Sequence, residues 1–190
     1  MILRLRVLYL QSKGYFNSRV YFETKTLDKR VRVNYTIRPG VPFMVDSIRY
    51  TIPQDSIKAL VESTTKESLV NKKDKYDQEA ITEERDRLYN LMVDNGYFEF
   101  TRQYINFEVD TISLANRRII LNGIVQNKND GSPHKVFRID SVNFITDANI
   151  QGSQQNRLIQ KHGGVNFMFY EDRFNRRILA SRLSIFSRNH

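Results

Sequence analysis

The chain has 190 residues, 40% hydrophobic and 12% aromatic, enough for one large domain or two small ones. It contains no cysteine, which excludes a disulfide scaffold, a zinc–thiolate site and a thiol nucleophile, and no apolar run approaches the ~18 residues of a spanning helix. The net charge of +9 is uneven: residues 1–40 contribute +7, 41–133 contribute −3 and 134–190 contribute +5, so an acidic centre interrupts any basic track and no nucleic-acid partner is expected.

Residues 1–16 pattern as the tail of a helix ending at Gly14-Tyr15-Phe16. Arg4 and Arg6 break the apolar start and no small-residue cleavage site follows, so the segment is not read as a signal peptide. The abrupt beginning and end read as an excerpt of a longer protein. In residues 19–27, Val20, Phe22 and Thr24 alternate with Tyr21, Glu23 and Lys25. A turn at Asp28-Lys29 follows, and Val31, Val33, Tyr35 and Ile37 then alternate with Arg32, Asn34 and Thr36. This predicts a β-hairpin with one buried face. Pro39-Gly40-Val41-Pro42 closes it.

A strand is expected over residues 43–52, then a short helix capped by Asp55 or Ser56, with Ile57, Leu60, Val61 and Leu69 on one side. A basic loop, residues 71–75, leads into the strongest element, residues 76–100. Asp77 is a good N-cap, Glu79, Glu83 and Glu84 favour the positive end of the helix dipole, and Ile81, Leu88, Leu91 and Met92 gather on one face. Gly96 fits the left-handed position that ends a helix, with Tyr97 folding back on Met92. Residues 104–109 then alternate Tyr104, Asn106 and Glu108 against Ile105, Phe107 and Val109. Residues 118–126 are apolar on both faces, as suits a strand flanked on both sides. Residues 128–133 are a turn-rich break.

The pattern then restarts. Phe137-Arg138-Ile139-Asp140-Ser141-Val142-Asn143-Phe144 matches Phe43-Met44-Val45-Asp46-Ser47-Ile48-Arg49-Tyr50 at a displacement of 94 positions. By the same template Leu158 and Ile159 are expected in a helix like that of Leu60 and Val61. Phe169-Tyr170, Ile178, Leu179, Leu183 and Phe186 are expected to repeat the organising helix. The repeat unit is thus β-α-α-β-β, present as half a unit, a whole one and half of another, each whole unit burying one modest core of sheet against two helices.

This ordered recurrence of opening strand, helices and a Gly-Tyr-Phe exit (Asp94-Asn95-Gly96-Tyr97-Phe98) resembles POTRA domains, the periplasmic repeats of BamA/TamA-type outer-membrane β-barrel assembly and translocation proteins. The wording of residues 104–111 is most similar to TamA-like members from Bacteroidetes-type bacteria. The resemblance covers essentially the whole chain. It implies an α+β fold of tandem POTRA-like units, each a three-stranded mixed sheet packed on two helices. In that division residues 1–40 are the C-terminal part of one domain, 41–133 a complete domain and 134–190 the N-terminal part of a further one. It also implies a periplasmic location, tethered to the outer membrane through a barrel absent from this chain. The implied activity is binding of unfolded outer-membrane proteins and of periplasmic or lipoprotein partners, without a chemical step. The binding element would be an exposed sheet edge that accepts an extended peptide. In this family the second strand lies at such an edge. That maps onto residues 101–110, with Arg102, Tyr104, Asn106 and Glu108, and onto Tyr21 and Glu23 in the first, partial unit. The bland reading is that these side chains pack within the domain or block aggregation. A scaffold or spacer that docks partners in a secretion transporter or division complex is the alternative function. An incomplete unit would also invite dimerisation or swapping.

No catalytic residue, cofactor or metal is expected. His134, His162 and His190 are too scattered for a metal set, and Lys161-His162-Gly163-Gly164 lacks P-loop spacing and is expected in an inter-helix connector. Ser47 and Ser141 follow aspartates in strands without a histidine partner in the repeat. Glu83, Glu84 and Asp86 interleave with Arg85 and Arg87 on what reads as a solvated helix face, which offers no desolvated cleft.

Overall fold

Asp77 opens the central helix as its sequence predicts. Its carboxylate accepts the Glu79 N–H at 2.9 Å, and the helix, α3, runs Gln78–Asp94. The chain, seen in a computed structural model, is described over residues 2–28, 30–113, 116–146, 157–170 and 175–182. Two units separate by contact, Met1–Phe137 and Arg138–His190.

In the first unit, α1 (Ile2–Ser12) leads to a hairpin of β1 (Arg19–Leu27) and β2 (Arg30–Arg38). The central sheet follows: β3 (Met44–Thr51), α2 (Asp55–Ser63), α3, β4 (Ile105–Ser113) and β5 (Arg118–Val125). Its strand order is β3-β5-β4, with β3 parallel and β4 antiparallel to β5. The central place of β5 agrees with its apolar residues on both faces. One side of the sheet carries the helices, and Ile57, Val61, Leu88, Met92, Tyr97, Phe100, Ile105 and Val125 close one core cluster there. Phe43, Val45, Val70, Ile81, Ile119 and Leu121 close a second.

Both Gly-Tyr-Phe exits end their helices in the same way. Tyr97 N–H reaches back to Met92 O at 3.1 Å and Gly96 N–H to Val93 O at 3.0 Å. Tyr15 N–H reaches Leu10 O at 2.9 Å and Gly14 N–H reaches Gln11 O at 3.0 Å. Gly14 and Gly96 have φ of +83° and +86°, and a Cβ would sit 2.9 Å from Tyr76 O and 2.8 Å from Phe137 O respectively. Each glycine carbonyl then accepts the N–H of the phenylalanine that opens the next repeat, Phe43 at 2.9 Å and Phe137 at 2.7 Å. The rings follow, with Phe16 edge-on to Phe43 and Phe98 edge-on to Phe137. The two sequence repeats, exit and opening strand, are therefore halves of one joint. Lys13 reinforces the first joint by pairing with Asp77 and Glu79 at 2.9 and 2.8 Å. Its ammonium is held above the usual lysine range by Glu79 first and Asp77 second. The expected division at 40/41 thus falls inside one unit.

Several local expectations are corrected. The hairpin has no buried face: only Val20 and Tyr35 are even partly covered. Burying a side chain of Val or Phe size contributes roughly 1.5–3 kcal/mol, and the hairpin collects little of it. The N-cap of α2 is Gln54, without a side-chain cap, and the helix stops at Ser63, leaving Leu69 beyond it and exposed.

The second unit departs further. Its strands are β6 (Val142–Ile145), β7 (Leu158–His162) and β8 (Val165–Phe169), in the order β6-β8-β7, again with the first strand parallel and the second antiparallel to the third. Leu158 and Ile159 are thus in a strand. Gly163 and Gly164, at φ +55° and +77°, form a hairpin turn of the kind that needs two positive φ values, not an inter-helix connector. Val165, Phe167 and Phe169 alternate inward, so their period is two. Phe169 ends a strand. The helix α4 (Arg176–Arg182) lays Leu179 and Ala180 on that face. Leu183 and Phe186 lie outside the described residues, as does His190. The opening strand is shorter than its sequence match, because β8 offers partners only to residues 142–145. The sheet recurs in this unit; the stretch expected as a helix at Leu158–Ile159 is a strand, and of the second expected helix Ile178 and Leu179 lie in α4.

Candidate binding edge

A three-stranded sheet has two edges, and the start of the first is already paired. Beside β3, the main chain of the 71–76 loop pairs with the strand: Val45 N–H to Asp74 O and Lys73 N–H to Val45 O, both 2.8 Å, and Tyr76 N–H to Phe43 O at 2.9 Å. Among the described residues β4 pairs with β5 alone. The Gln126 N–H donates to Tyr104 O at 2.8 Å, which fixes the phase of the antiparallel ladder. Alternation then turns the N–H and C=O of Asn106, Glu108 and Asp110 toward β5 and those of Ile105, Phe107 and Val109 away from it. The backbone groups on the open edge belong to the apolar residues of the strand.

The side chains of Asn106 and Glu108 lie on the sheet face opposite the helices. There Glu108, Asn122 and Arg49 form one cross-strand row, with Glu108 and Arg49 exposed. Arg102 precedes the strand in a 3-10 turn, Arg102–Tyr104, where it pairs with Asp86 and lies over the Tyr89 ring at 4.4 Å. Tyr104 is corrected. It sits in that turn, outside the strand, and its ring packs on the core beside Phe100 and His134, with centroids at 5.5 and 4.6 Å. Tyr21 and Glu23 are exposed on β1, distant in sequence from β4, with Arg38 over the Tyr21 ring.

Two constellations escape a reading of residue types. The first is Glu84. Its carboxylate is fully buried and accepts from Arg87 Nε and Nη2 at 2.9 and 2.7 Å, from the Leu69 N–H at 2.9 Å and from the Tyr50 hydroxyl at 3.1 Å. Burial, and then the Glu84 charge, push the Tyr50 hydroxyl far above the usual phenol range. The expected solvated face is therefore wrong at this residue. Spacing carried the signal, since 81, 84, 88 and 92 make one helical stripe and all four are buried. Beside this cluster lies a recess of about 360 Å³ lined by Ser47, Ile48, Val61, Val70 and Arg87, on the β3 side and away from the open edge.

The second is a strap after β5. The Gln54 amide grips the His134 main chain at both ends, Oε1 accepting its N–H at 2.8 Å and Nε2 donating to its carbonyl at 3.0 Å. The buried His134 ring sits against Phe100 and Tyr104 and meets Gln126 O through Nε2 at 2.9 Å. Three residues on, Phe137 closes the joint with Gly96, so the strap belongs to the first unit. Nothing in the sequence links Gln54 to a residue 80 positions away.

Among the described residues no group of His, Asp and Glu is arranged to hold a metal, and no helix is long and apolar enough to cross a membrane.

No family model matches the chain, and no curated protein matches it. Among solved structures, it is similar to POTRA domains 3 to 5 of BamA from Haemophilus influenzae, at 15% identity and a TM-score of 0.41, over 79% of this chain and 55% of that one. It is also similar to BamA from Haemophilus ducreyi lacking POTRA domains 1 to 3, at 14% identity and a TM-score of 0.40, over 65% of this chain and 22% of that one. The chain spans about half the length of the first and about a fifth of the second.

Proposed function

We propose that this chain is a periplasmic segment of an outer-membrane protein assembly or translocation factor, of POTRA type and TamA-like, that binds unfolded client strands by adding them to β4. The open edge of β4 carries the reading. Its outward backbone groups are tolerant of client sequence, as pairing through main chain must be. The loop pairing at Phe43 and Val45 takes up the start of the β3 edge, whereas among the described residues no main chain pairs on the outer side of β4. The partners are unfolded outer-membrane proteins and periplasmic or lipoprotein components, and attachment to the membrane is through a barrel outside this chain.

Val109→Pro separates edge pairing from folding. Its N–H points away from β5, so proline there removes a donor to the guest and leaves the β4–β5 ladder intact. Photoreactive residues at Asn106 and Glu108 are expected to capture outer-membrane proteins in cells, and Val109→Pro to reduce that capture severalfold at an unchanged unfolding midpoint. Capture equal at exposed α3 positions such as Glu83 and Asn90, of the same one or two periplasmic proteins, would make the segment a docking scaffold. Capture untouched by Val109→Pro would sink edge pairing.

A further inference from the structure

A basic concentration in the otherwise acidic stretch 41–133 lies at the end of the sheet where β3 and β5 begin. Lys72, Lys73, Lys75, Arg117 and Arg118 are five of the twelve Lys and Arg of that stretch, against fifteen Asp and Glu. β3 and β5 run parallel, with Met44 beside Arg118, and the 71–76 loop pairs onto the start of β3 from its other side. A recess of about 320 Å³ opens there, lined by Val45, Asp46, Lys72, Lys73, Asn116 and Arg118. Arg118 donates through Nη1 to the partly buried Asp46 carboxylate at 2.6 Å. Asp74 is turned to its own loop, where its carboxylate accepts the Asn71 N–H at 2.8 Å. Among the described residues no carboxylate pairs with Lys72 or Lys73. The walls of the recess thus carry three cations and one anion, a net charge of +2.

The backbone here is bent in a way that glycine adopts more readily. Lys73 has φ +75° and the adjoining Arg117 has φ +50°, where a Cβ is crowded by its own main chain. Both bends are pinned to β3: the Lys73 N–H donates to Val45 O at 2.8 Å, and Arg117 O accepts the Met44 N–H at 2.9 Å. Glycine at 73 would relieve the crowding, so a lysine placed in that bend points to a use for its side chain. We infer that the recess is a phosphate site, in which the anion sits between the Lys72 and Lys73 ammonium groups and the Arg118 guanidinium. Charge sets the class of ligand. A phosphate monoester carries about −1.5 to −2 at neutral pH and balances the recess, whereas a carboxylate leaves one cation unmet. The guanidinium fork can reach phosphate oxygens while still holding Asp46, and the lysines act as point charges. The site lies at the start of β3 and stands apart from guest binding at β4.

The test titrates the whole chain with inorganic phosphate at constant ionic strength and about pH 7.5, above the second phosphate ionisation, and reads amide shifts by nuclear magnetic resonance. Saturable shifts are expected at Lys72, Lys73 and Arg118, and not at Arg30 and Arg32 of the basic hairpin. Acetate should bind at least about fivefold more weakly, as one unit of charge fewer implies. Lys73→Gly removes the cation and the crowding together. Phosphate binding is then expected to fall at least about fivefold, while the urea midpoint holds or rises. Lys72→Gln should weaken binding with the midpoint unmoved. An equal response at the hairpin, equal binding of acetate, undiminished binding by Lys73→Gly or a lowered midpoint in that variant overturns the inference. Vesicles separate the sources of phosphate. Retention by phosphatidic acid vesicles and not by phosphatidylcholine vesicles, lost in Lys73→Gly, supports the site and puts the phosphate on a lipid headgroup. Binding of free phosphate without such retention supports it with a soluble ligand, and no response to either source overturns it.

Discussion

Replacing Glu84 by leucine tests whether the buried carboxylate organises the first unit. The substitution removes the acceptor of four hydrogen bonds and strands three donors: the Arg87 guanidinium, the Tyr50 hydroxyl and the Leu69 amide. Breaking a buried ion pair from one side costs about 3–5 kcal/mol, because the other charge is left uncompensated. The Arg87 side chain retains 16% exposure and reaches Thr64 Oγ1 at 3.3 Å, so the lower end, about 3 kcal/mol, is expected. Removing both partners, as Glu84→Leu with Arg87→Leu, leaves two neutral donors unmet, at roughly 1 kcal/mol each. The double variant should therefore be more stable than Glu84→Leu alone by about 1 kcal/mol. Urea unfolding followed by circular dichroism resolves this. With a slope of about 1–3 kcal/mol per molar, the single substitution lowers the midpoint by roughly 1–3 M. A loss below about 1 kcal/mol for Glu84→Leu would refute the reasoning. So would a double variant at least as damaged as the single one, which would mean that the charge of Arg87 is already satisfied elsewhere.

Three further outcomes are expected. Gly96→Ala places a Cβ 2.8 Å from Phe137 O at a positive φ, which costs about 1–3 kcal/mol and should speed amide exchange at Phe137, read by nuclear magnetic resonance. Gln54→Ala unclips both ends of His134, so the His134 amide should exchange faster while that of Leu121, in the sheet centre, stays unchanged. The pH dependence follows Tyr50. Its folded-state value is raised, so the unfolded chain ionises first, and the stabilisation is complete below pH ~10 and is lost as pH rises from there toward the folded value. The loss proceeds at up to ~1.4 kcal/mol per pH unit. Urea midpoints between pH 9 and 11 should fall more steeply in the parent chain than in Tyr50→Phe, and parallel slopes would contradict the assignment.

The sequence was legible where local chemistry decides the outcome. Asp77, the stripe from Ile81 to Met92 and Gly96 specify α3 within one stretch of chain, and the alternation of residues 19–37 specifies the hairpin. The same alternation misled at Tyr104, because it runs on into a 3-10 turn where the side chain meets His134. Burial of the hairpin face could not be read at all, since it depends on what packs against the hairpin and not on the hairpin's own residues. Glu84 was misread by residue type, though its spacing placed it on the buried stripe. In the second unit, the 94-residue match carried a helical template over Leu158 and Ile159, against the Gly-Gly turn and the period of two in Val165, Phe167 and Phe169. Open backbone groups on β4 were anticipated as an edge. Which residues own them came only from the ladder phase.

The strand order of the central sheet also has a kinetic meaning. β5, the last strand of that sheet in chain order, lies in the middle, and its parallel partner β3 is separated from it by both helices and β4. The β4–β5 hairpin closes a short loop, whereas docking β3 closes a long one, so local pairing comes first and β3 joins late. During that interval the unit would hold a two-stranded ribbon still without its parallel edge strand. The N-terminal hairpin with α1 has that same arrangement, so it serves as a standing image of how its neighbour looks just before its first strand arrives.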